Sequence, residues 1–382
     1  MTTKYDKYYP LVKELYRELH QVPELCFALD KTVDIVKREL TSYGIEFTEK
    51  YCKGSIVAEV GKGKKCIALR ADMDALPIEE KSGLSFSSKR SGVMHACGHD
   101  SHTAILLGVA KYLKDIEDSL NIRVRLIFQP SEEGIESGAR KMTKAKVLDG
   151  VDHIIATHCE PDLPSNEIGV CSGDCMASCV TINLEFLGKS SHATIPEHGI
   201  DAIAMANQAY CELKEAVNEE SKGRKYIWCV GRFSGGTVHN IICDRCELFI
   251  TFRFYDKKFA MEMENRAKGI CQKVAEKFGG EVKLEWIYGT DAVINDGEIA
   301  KTIKEVAKNT GIVVHDIDAK MTSEDFGEFL NCTKGCLFRF GIYDKEAATG
   351  NALHTCNFKI HEPAMKSALT TFCEYIMNAN SK

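Results

Sequence analysis

Long apolar runs are missing from this chain. Nowhere in its 382 residues does an apolar stretch approach the roughly 18 residues that a membrane-crossing helix requires. The first residues, Met1-Thr2-Thr3-Lys4-Tyr5-Asp6, carry no apolar core of the kind a signal peptide uses, so a cytoplasmic protein with no membrane partner is expected. Clustered positive charge is missing too. Lys and Arg number 49 against 55 Asp and Glu, a net charge of -6, with no basic stripe to follow a phosphate backbone. That excludes nucleic acid as a partner. The 17 cysteines form no disulfide framework: they are odd in number, scattered, and lie inside apolar strands as often as in loops, as small buried hydrophobes do in a reducing compartment. Internal repeats and low-complexity segments are absent.

What is present is concentrated in Met94-His95-Ala96-Cys97-Gly98-His99-Asp100-Ser101-His102, where three histidines, a thiol and a carboxylate crowd together. A single histidine near a helix start is usually a cap, and an isolated cysteine is usually a core residue. Their crowding here points to a metal loop. In an extended segment Cys97 and His99, two apart with Gly98 between them, point the same way at one ion. Ile105, Leu106, Val109, Ala110 and Leu113 follow at helical spacing and anchor the loop on an amphipathic helix, with Asp100 or Ser101 as its N-cap. The spacing is not that of a closed zinc finger, so further ligands must come from elsewhere in the chain.

The length predicts two domains. Helices over 11–19 and 32–40 precede strands over 55–60 and 66–71, the second ending at Asp72-Met73-Asp74. After the loop helix, a strand over 122–128 runs into Gln129-Pro130-Ser131-Glu132-Glu133-Gly134, and another over 151–157 ends at His158. Chemistry in open α/β sheets gathers at the carboxyl ends of strands. Asp72, Asp74, Glu132, Glu133 and His158 are therefore expected beside the Cys97 loop at one edge of a largely parallel sheet, with helices on both faces. The pattern then changes to β-α-β-β-α-β, with strands near 180–186, 226–230, 248–254 and 282–286, which describes a ferredoxin-like α+β insert. One domain over 1–173 and 290–382, interrupted by a second over 174–289, is the expected organisation.

Six stretches carry a resemblance: Arg70-Ala71-Asp72-Met73-Asp74-Ala75-Leu76-Pro77, the 94–102 loop, Gln129-Pro130-Ser131-Glu132-Glu133-Gly134, Gly188-Lys189-Ser190-Ser191-His192-Ala193, Gly235-Gly236-Thr237-Val238-His239-Asn240 and Ser323-Glu324-Asp325-Phe326. In this order they resemble the motifs of the M20 metallopeptidase superfamily, and more narrowly its amidohydrolase branch of hippurate hydrolases, indole-acetyl-amino-acid hydrolases and N-acetyldiaminopimelate deacetylases. The resemblance covers almost the whole chain. It implies an α/β catalytic domain with a mainly parallel mixed sheet flanked by helices, and an inserted lid and dimerisation domain, hence a homodimer. It also implies Cys97, His99, Glu133, His158 and His354 as ligands of one or two divalent ions per chain, with the Cys97 thiolate at or near the bridge. Glu132 would be the general base, Asp74 an orienting group behind the ligands, His192 an oxyanion stabiliser on the lid, and Asn240 a contact to the substrate carboxylate. Cys356, Cys243 and Ala28 depart from the family's usual residues without removing a ligand.

Hydrolysis of an unstrained amide needs a strong nucleophile and a stabilised oxyanion, and a metal pair supplies both by lowering the pKa of bound water toward roughly 7 and polarising the acyl oxygen. Adjacent Glu132 and Glu133 point apart in an extended turn, so one ligates while the other handles the water's proton. Mixed thiolate, imidazole and carboxylate ligation suits zinc, manganese, cobalt or nickel. The expected activity is cleavage of N-acyl amino acids to a carboxylic acid and a free amino acid. Three rivals stand beside it: a dipeptidase or carboxypeptidase on the same fold, a cysteine-nucleophile hydrolase using Cys97 and His99, and a non-catalytic binding homologue. The character of the Cys97 loop argues against the first, and an intact Glu132 against the last. His20, His153, His198, His315 and His361 are assigned to structure, and His95 and His102 to the surroundings of the metal.

Overall fold

Val12, Leu15, Tyr16 and Leu19 recur at three- and four-residue spacing, which gathers them on one face of helix α1 (Tyr9–His20), and all four are buried. Val33, Val36 and Leu40 do the same on α2 (Asp30–Ser42). The Glu24 carboxylate accepts from the N–H groups of Lys31 and Thr32 at 3.2 and 2.9 Å, standing in for a capping side chain that Leu29 cannot provide. In the computed structural model, which describes residues 3–381, strands β1 (Phe47–Thr48), β2 (Ile56–Val60) and β3 (Cys66–Asp72) come next. Every residue of β3 is buried, as in a strand covered on both faces. Helix α3 (His99–Asp115) is buried along nearly its whole length, and α1 approaches so closely that a Cβ on Gly108 would fall 2.3 Å from Val12 Cγ2. The chain continues through β4 (Arg123–Gln129), α4 (Gly138–Lys144), β5 (His153–Pro164), β6 (Ile168–Val170) and β7 (Gly173–Met176).

Two compact units are formed. Met176–Val293 with Lys320–Glu324 make the second, and the remainder makes the first. Within the second unit, β8 (Ser178–Leu187), α5 (Ala202–Ser221), β9 (Ile227–Gly235), β10 (Arg245–Phe254), α6 (Lys257–Phe278) and β11 (Glu281–Tyr288) follow the β-α-β-β-α-β order. Its four strands pair antiparallel in the order β11-β8-β10-β9. Val180, Ile182, Leu184 and Phe186 turn inward from β8 to meet Ala206, Ala209, Met263 and Val274 of the helices. An alternating insert is expected to leave an open sheet edge at 180–186 or at another border strand; here 180–186 is central and the open edges fall on β9 and β11. Each helix carries the chain across one strand before the next pairs, so β8 and β10 finish side by side and β9 and β11 form the borders.

The first unit resumes at Ile294, within β12 (Val293–Asn295), and continues through α7 (Gly297–Asn309), β13 (Val314–Asp316), α8 (Gly327–Leu330), β14 (Lys334–Tyr343) and α9 (Met365–Asn380). Its large sheet has the order β1-β2-β4-β3-β5-β14-β6-β13. Pairing is parallel through β4-β3-β5-β14 and at β6-β13, and antiparallel at β1-β2, β2-β4 and β14-β6, so the sheet is mixed and mainly parallel. Strand β5 does not end at His158 as expected but runs on to Pro164. Its neighbour β3 stops pairing at Arg70↔Ala156, while β14 stays bonded across from it at Arg339↔His158. His158 thus sits two residues beyond the end of the β3 ladder, beside a gap in the sheet. Among the described residues no helix is long and apolar enough to cross a membrane.

Candidate metal centre

That gap is filled by the 94–98 loop, which enters α3 through Gly98. The Gly98 backbone is left-handed (φ 82°), and a Cβ there would lie 2.6 Å from Cys159 Sγ, so only glycine fits. The expected extended run through Cys97, Gly98 and His99 is thus a tight turn, with His99 as the first helical residue. Neither Asp100 nor Ser101 caps the helix; Gly98 holds that position, and Asp100 instead accepts from Ser101 N at 2.8 Å and pairs with His20 Nδ1 at 2.6 Å.

His158 donates from Nδ1 to the Cys159 carbonyl at 2.7 Å, which leaves the lone pair of Nε2 facing Cys97 Sγ at 3.4 Å. His354 arrives from the far end of the chain on a left-handed backbone (φ 60°), and its N–H donates to Ala96 O at 2.9 Å, tying its loop to the Cys97 loop. Its Nε2 stands 3.3 Å from Cys97 Sγ and 3.1 Å from Glu133 Oε1. The donor atoms of Cys97, His99 and His158 lie within 4.8 Å of one another, and so do those of Cys97, Glu133 and His354 and those of His99, Glu132 and Glu133. Cys97 belongs to the first two groups.

The two glutamates are set by a turn after β4. Ser131 takes a left-handed backbone (φ 53°), its hydroxyl donating to Glu136 O at 2.7 Å. This aims the N–H groups of Glu132 and Glu133 at the two oxygens of Asp74, at 2.9 and 3.1 Å. Asp74 Oδ1 also lies 3.5 Å from His99 Nδ1. At the end of β3, Asp72 accepts from Arg70 Nη1 at 2.7 Å and from His102 Nδ1 at 2.6 Å, while His102 Nε2 accepts from Cys159 N at 3.0 Å. Both nitrogens of His102 are used in this way, so it supports the cluster rather than ligating. Arg70 was given no role by the sequence; it is fully buried and also donates to Gln129 Oε1 at 2.7 Å and Asp325 Oδ1 at 3.0 Å. The available signal was an arginine inside an otherwise apolar strand. His153, His315 and His361 bond Tyr375, Glu167 and Ser165, in keeping with structural roles.

His99 is fully buried, yet neither of its ring nitrogens has a hydrogen-bond partner. A buried polar group left unsatisfied costs about 1–3 kcal/mol, which coordination of an ion removes. Burial pushes the His99 imidazolium down, but Asp72, Asp74 and Glu133 around it prevail and hold it up to about 10, so the pocket favours positive charge. Burial, then the Glu133 carboxylate, pushes the Cys97 thiol well above its usual range. Burial, then His102 and Arg339, holds His158 well below its usual range, as a neutral imidazole ready to donate a lone pair. A divalent cation here would satisfy His99, offset the surplus carboxylates and draw Cys97 to the thiolate. The residues fit such an ion.

His192 and Asn240 lie in the second unit, both exposed. A bridge between His192 and Ile241 and a 3.0 Å bond from Ala193 N to Asn240 O bring them onto one surface. His192 Nδ1 accepts from Thr194 N at 3.2 Å, which leaves Nε2 as the ring's N–H donor.

Thiol, imidazole and carboxylate donors gathered at the strand ends of a mainly parallel α/β sheet define a metal-binding centre in the first unit. The chain matches Peptidase family M20/M25/M40 over residues 68–378. It is 35% identical over 363 residues to the N-acetylcysteine deacetylase of Bacillus subtilis (strain 168), covering 94% of each chain. It is 35% identical over 328 residues to the N-acetyl-L-cysteine deacetylase of the same organism, covering 85% of this chain and 79% of that one. A solved Bacillus subtilis protein described as a dinuclear metal-binding peptidase from the M20 family superposes with a TM-score of 0.86 at 31% identity, over 98% of this chain and 99% of that one. The chain belongs to the M20 peptidase family, in its amidohydrolase branch, and is a hydrolase.

Proposed function

We propose that the protein hydrolyses the amide bond of N-acyl amino acids, releasing a carboxylic acid and a free amino acid. The observation that carries this reading is the meeting of Cys97, His99, Glu133, His158 and His354 around one small volume with Glu132 beside them. These five residues would hold one or two divalent ions, Cys97 being common to both groups, and their donor chemistry suits zinc, manganese, cobalt or nickel. When bound, such ions lower the pKa of a coordinated water toward about 7 and polarise the acyl oxygen.

Proton transfer and positioning fall to the chain itself. Glu132 takes the proton of the attacking water and returns it to the leaving amine. Asp74, by holding the N–H groups of both glutamates, keeps Glu133 turned to the ligand cluster and Glu132 to the water. The insert over 174–289 acts as a lid: the Nε2–H of His192 donates to the tetrahedral oxygen, and Asn240 binds the substrate carboxylate. A homodimer through this lid is supported by exposed apolar side chains on its border strands, Ile227 and Phe233 on β9 and Ile287 on β11, which pairing with a second copy would cover. All 17 cysteines are free, in keeping with the reducing cytoplasm. The names of the deacetylase relatives support the substrate class.

The test is release of free amine by metal-loaded protein from a panel of N-acetyl and N-benzoyl amino acids, with dipeptides alongside. Release from the N-acyl amino acids, abolished by a chelator, is expected. Release from dipeptides alone would assign a peptidase, no release from any member would favour a binding protein, and full activity after chelation would favour Cys97 as nucleophile.

A further inference from the structure

Asp325 is fully buried and stands where the chain returns to the first compact unit. Its carboxylate accepts from Arg70 Nη2 at 3.0 Å, from Gln129 Nε2 at 2.8 and 2.9 Å, from Ser137 Oγ at 2.6 Å and from Ala139 N at 3.2 Å. Balancing the Arg70 charge would account for one such bond, but not for so many donors on one carboxylate. The backbone of the same residue is also engaged, since the Asp325 N–H donates to Glu132 Oε1 at 3.3 Å. The other oxygen of Glu132, Oε2, faces His99 Nε2 at 3.9 Å. The anchors are themselves rigid. Arg70 is held at its other branch by Asp72, and Ser137 caps α4 by accepting from Arg140 N at 3.0 Å.

We propose that Asp325 is a positioning residue for the hydrolysis: its locked carboxylate fixes the main-chain N–H that holds one oxygen of Glu132, so that the other is presented to the reacting water in a single orientation. This rests on the reading of Glu132 as the general base. A glutamate has three side-chain torsions, and a fixed donor on one carboxylate oxygen narrows the orientations open to the other. A misplacement of about 1 Å costs on the order of 100-fold in rate.

The experiment is Asp325→Asn in the full-length, metal-loaded protein. Asparagine offers one acceptor oxygen and turns an NH2 toward donors, so the anchor loosens. The kcat should fall about 10- to 100-fold with KM within about threefold and metal content unchanged. Gln129→Met keeps the volume and removes one anchor; it should lower kcat about 3- to 10-fold in the same way, and it carries the test if Asp325→Asn does not fold. Either change added to Glu132→Gln should cost less than about threefold more, because a residue acting through Glu132 has nothing left to position. The full loss recurring in the double variant, a raised KM, or a fall that follows lost metal would each overturn the proposal. Wild-type turnover in Glu132→Gln would remove the general-base reading itself, whereas a slow Glu132→Gln beside a normal Asp325→Asn would remove only the positioning role.

Discussion

Glu132→Gln isolates proton transfer from everything else at the site. The substitution keeps the side chain's length and shape. An amide oxygen can still accept from Asp325 N, which lies 3.3 Å from Glu132 Oε1, so the side chain keeps its anchor. The backbone N–H of residue 132 still donates to Asp74 at 2.9 Å, and the turn that aims Glu133 is undisturbed. What changes is the atom 3.9 Å from His99 Nε2, which becomes an NH2 that can neither accept nor return a proton. General acid–base catalysis contributes about 100- to 10,000-fold, or about 3 to 5 kcal/mol of barrier, and that is the expected loss in kcat. Stability should stay within about 1 kcal/mol, since the side chain keeps its length, its shape and its bond from Asp325 N. The assay is free-amine release at saturating substrate, run beside elemental analysis and thermal melts with and without metal. Near wild-type turnover would refute the reasoning, and so would a loss of activity proportional to a loss of metal.

Chelation should abolish activity, added divalent metal should restore it, and bound metal should shield Cys97 from alkylation as followed by mass spectrometry. Arg70→Met should destabilise the fold by about 3–5 kcal/mol in urea unfolding, because Asp72 and Asp325 would remain buried without their cation; an unchanged midpoint would contradict this. Burial works against a charged His20, but Asp100 and Glu80 on its two nitrogens, with neutral His95 and Tyr16 nearby, raise it to about 9 from 6.5. A raised value means stability fully present below pH 6.5 and lost as pH climbs through 9, on the order of 3 kcal/mol, and His20→Asn should flatten that slope in pH-dependent melts. His192→Ala should lower turnover by roughly 100-fold with metal content unchanged, and activity recovered on mixing it with Glu132→Gln protomers would assign His192 to the site of a partner copy.

Much of the centre was legible because its chemistry is written in short stretches. Cys97 and His99 declare themselves by residue type within three positions, and Asp72, Asp74, Glu132 and Glu133 by lying just after apolar strands. His354 is different: it sits in a loop with no local pattern around it, and only the family resemblance singled it out. The helices of both units were equally readable, since their apolar stripes depend on neighbours three and four residues away.

Backbone detail and long-range pairing were not readable. The turn at Gly98 is forced by Cys159 Sγ, 61 positions onward, and nothing near Gly98 announces that contact. The length of β5 is decided by β14, which stays bonded past the point where β3 has ended. Strand 180–186 became central because of how two crossovers interleave, a property of the whole unit. Arg70 and Asp325, 255 positions apart, are the clearest case. Arg70 stands out locally only as an arginine in an apolar strand and Asp325 not at all, and only the tertiary fold that buries both against Gln129 makes them one network. By itself the sequence determined the elements, the donor types and the class of chemistry, all of which follow from residue type and short-range period. Tertiary structure alone decided which donors meet and which buried charges pair, because those depend on strand order and on a core shared by residues hundreds of positions apart.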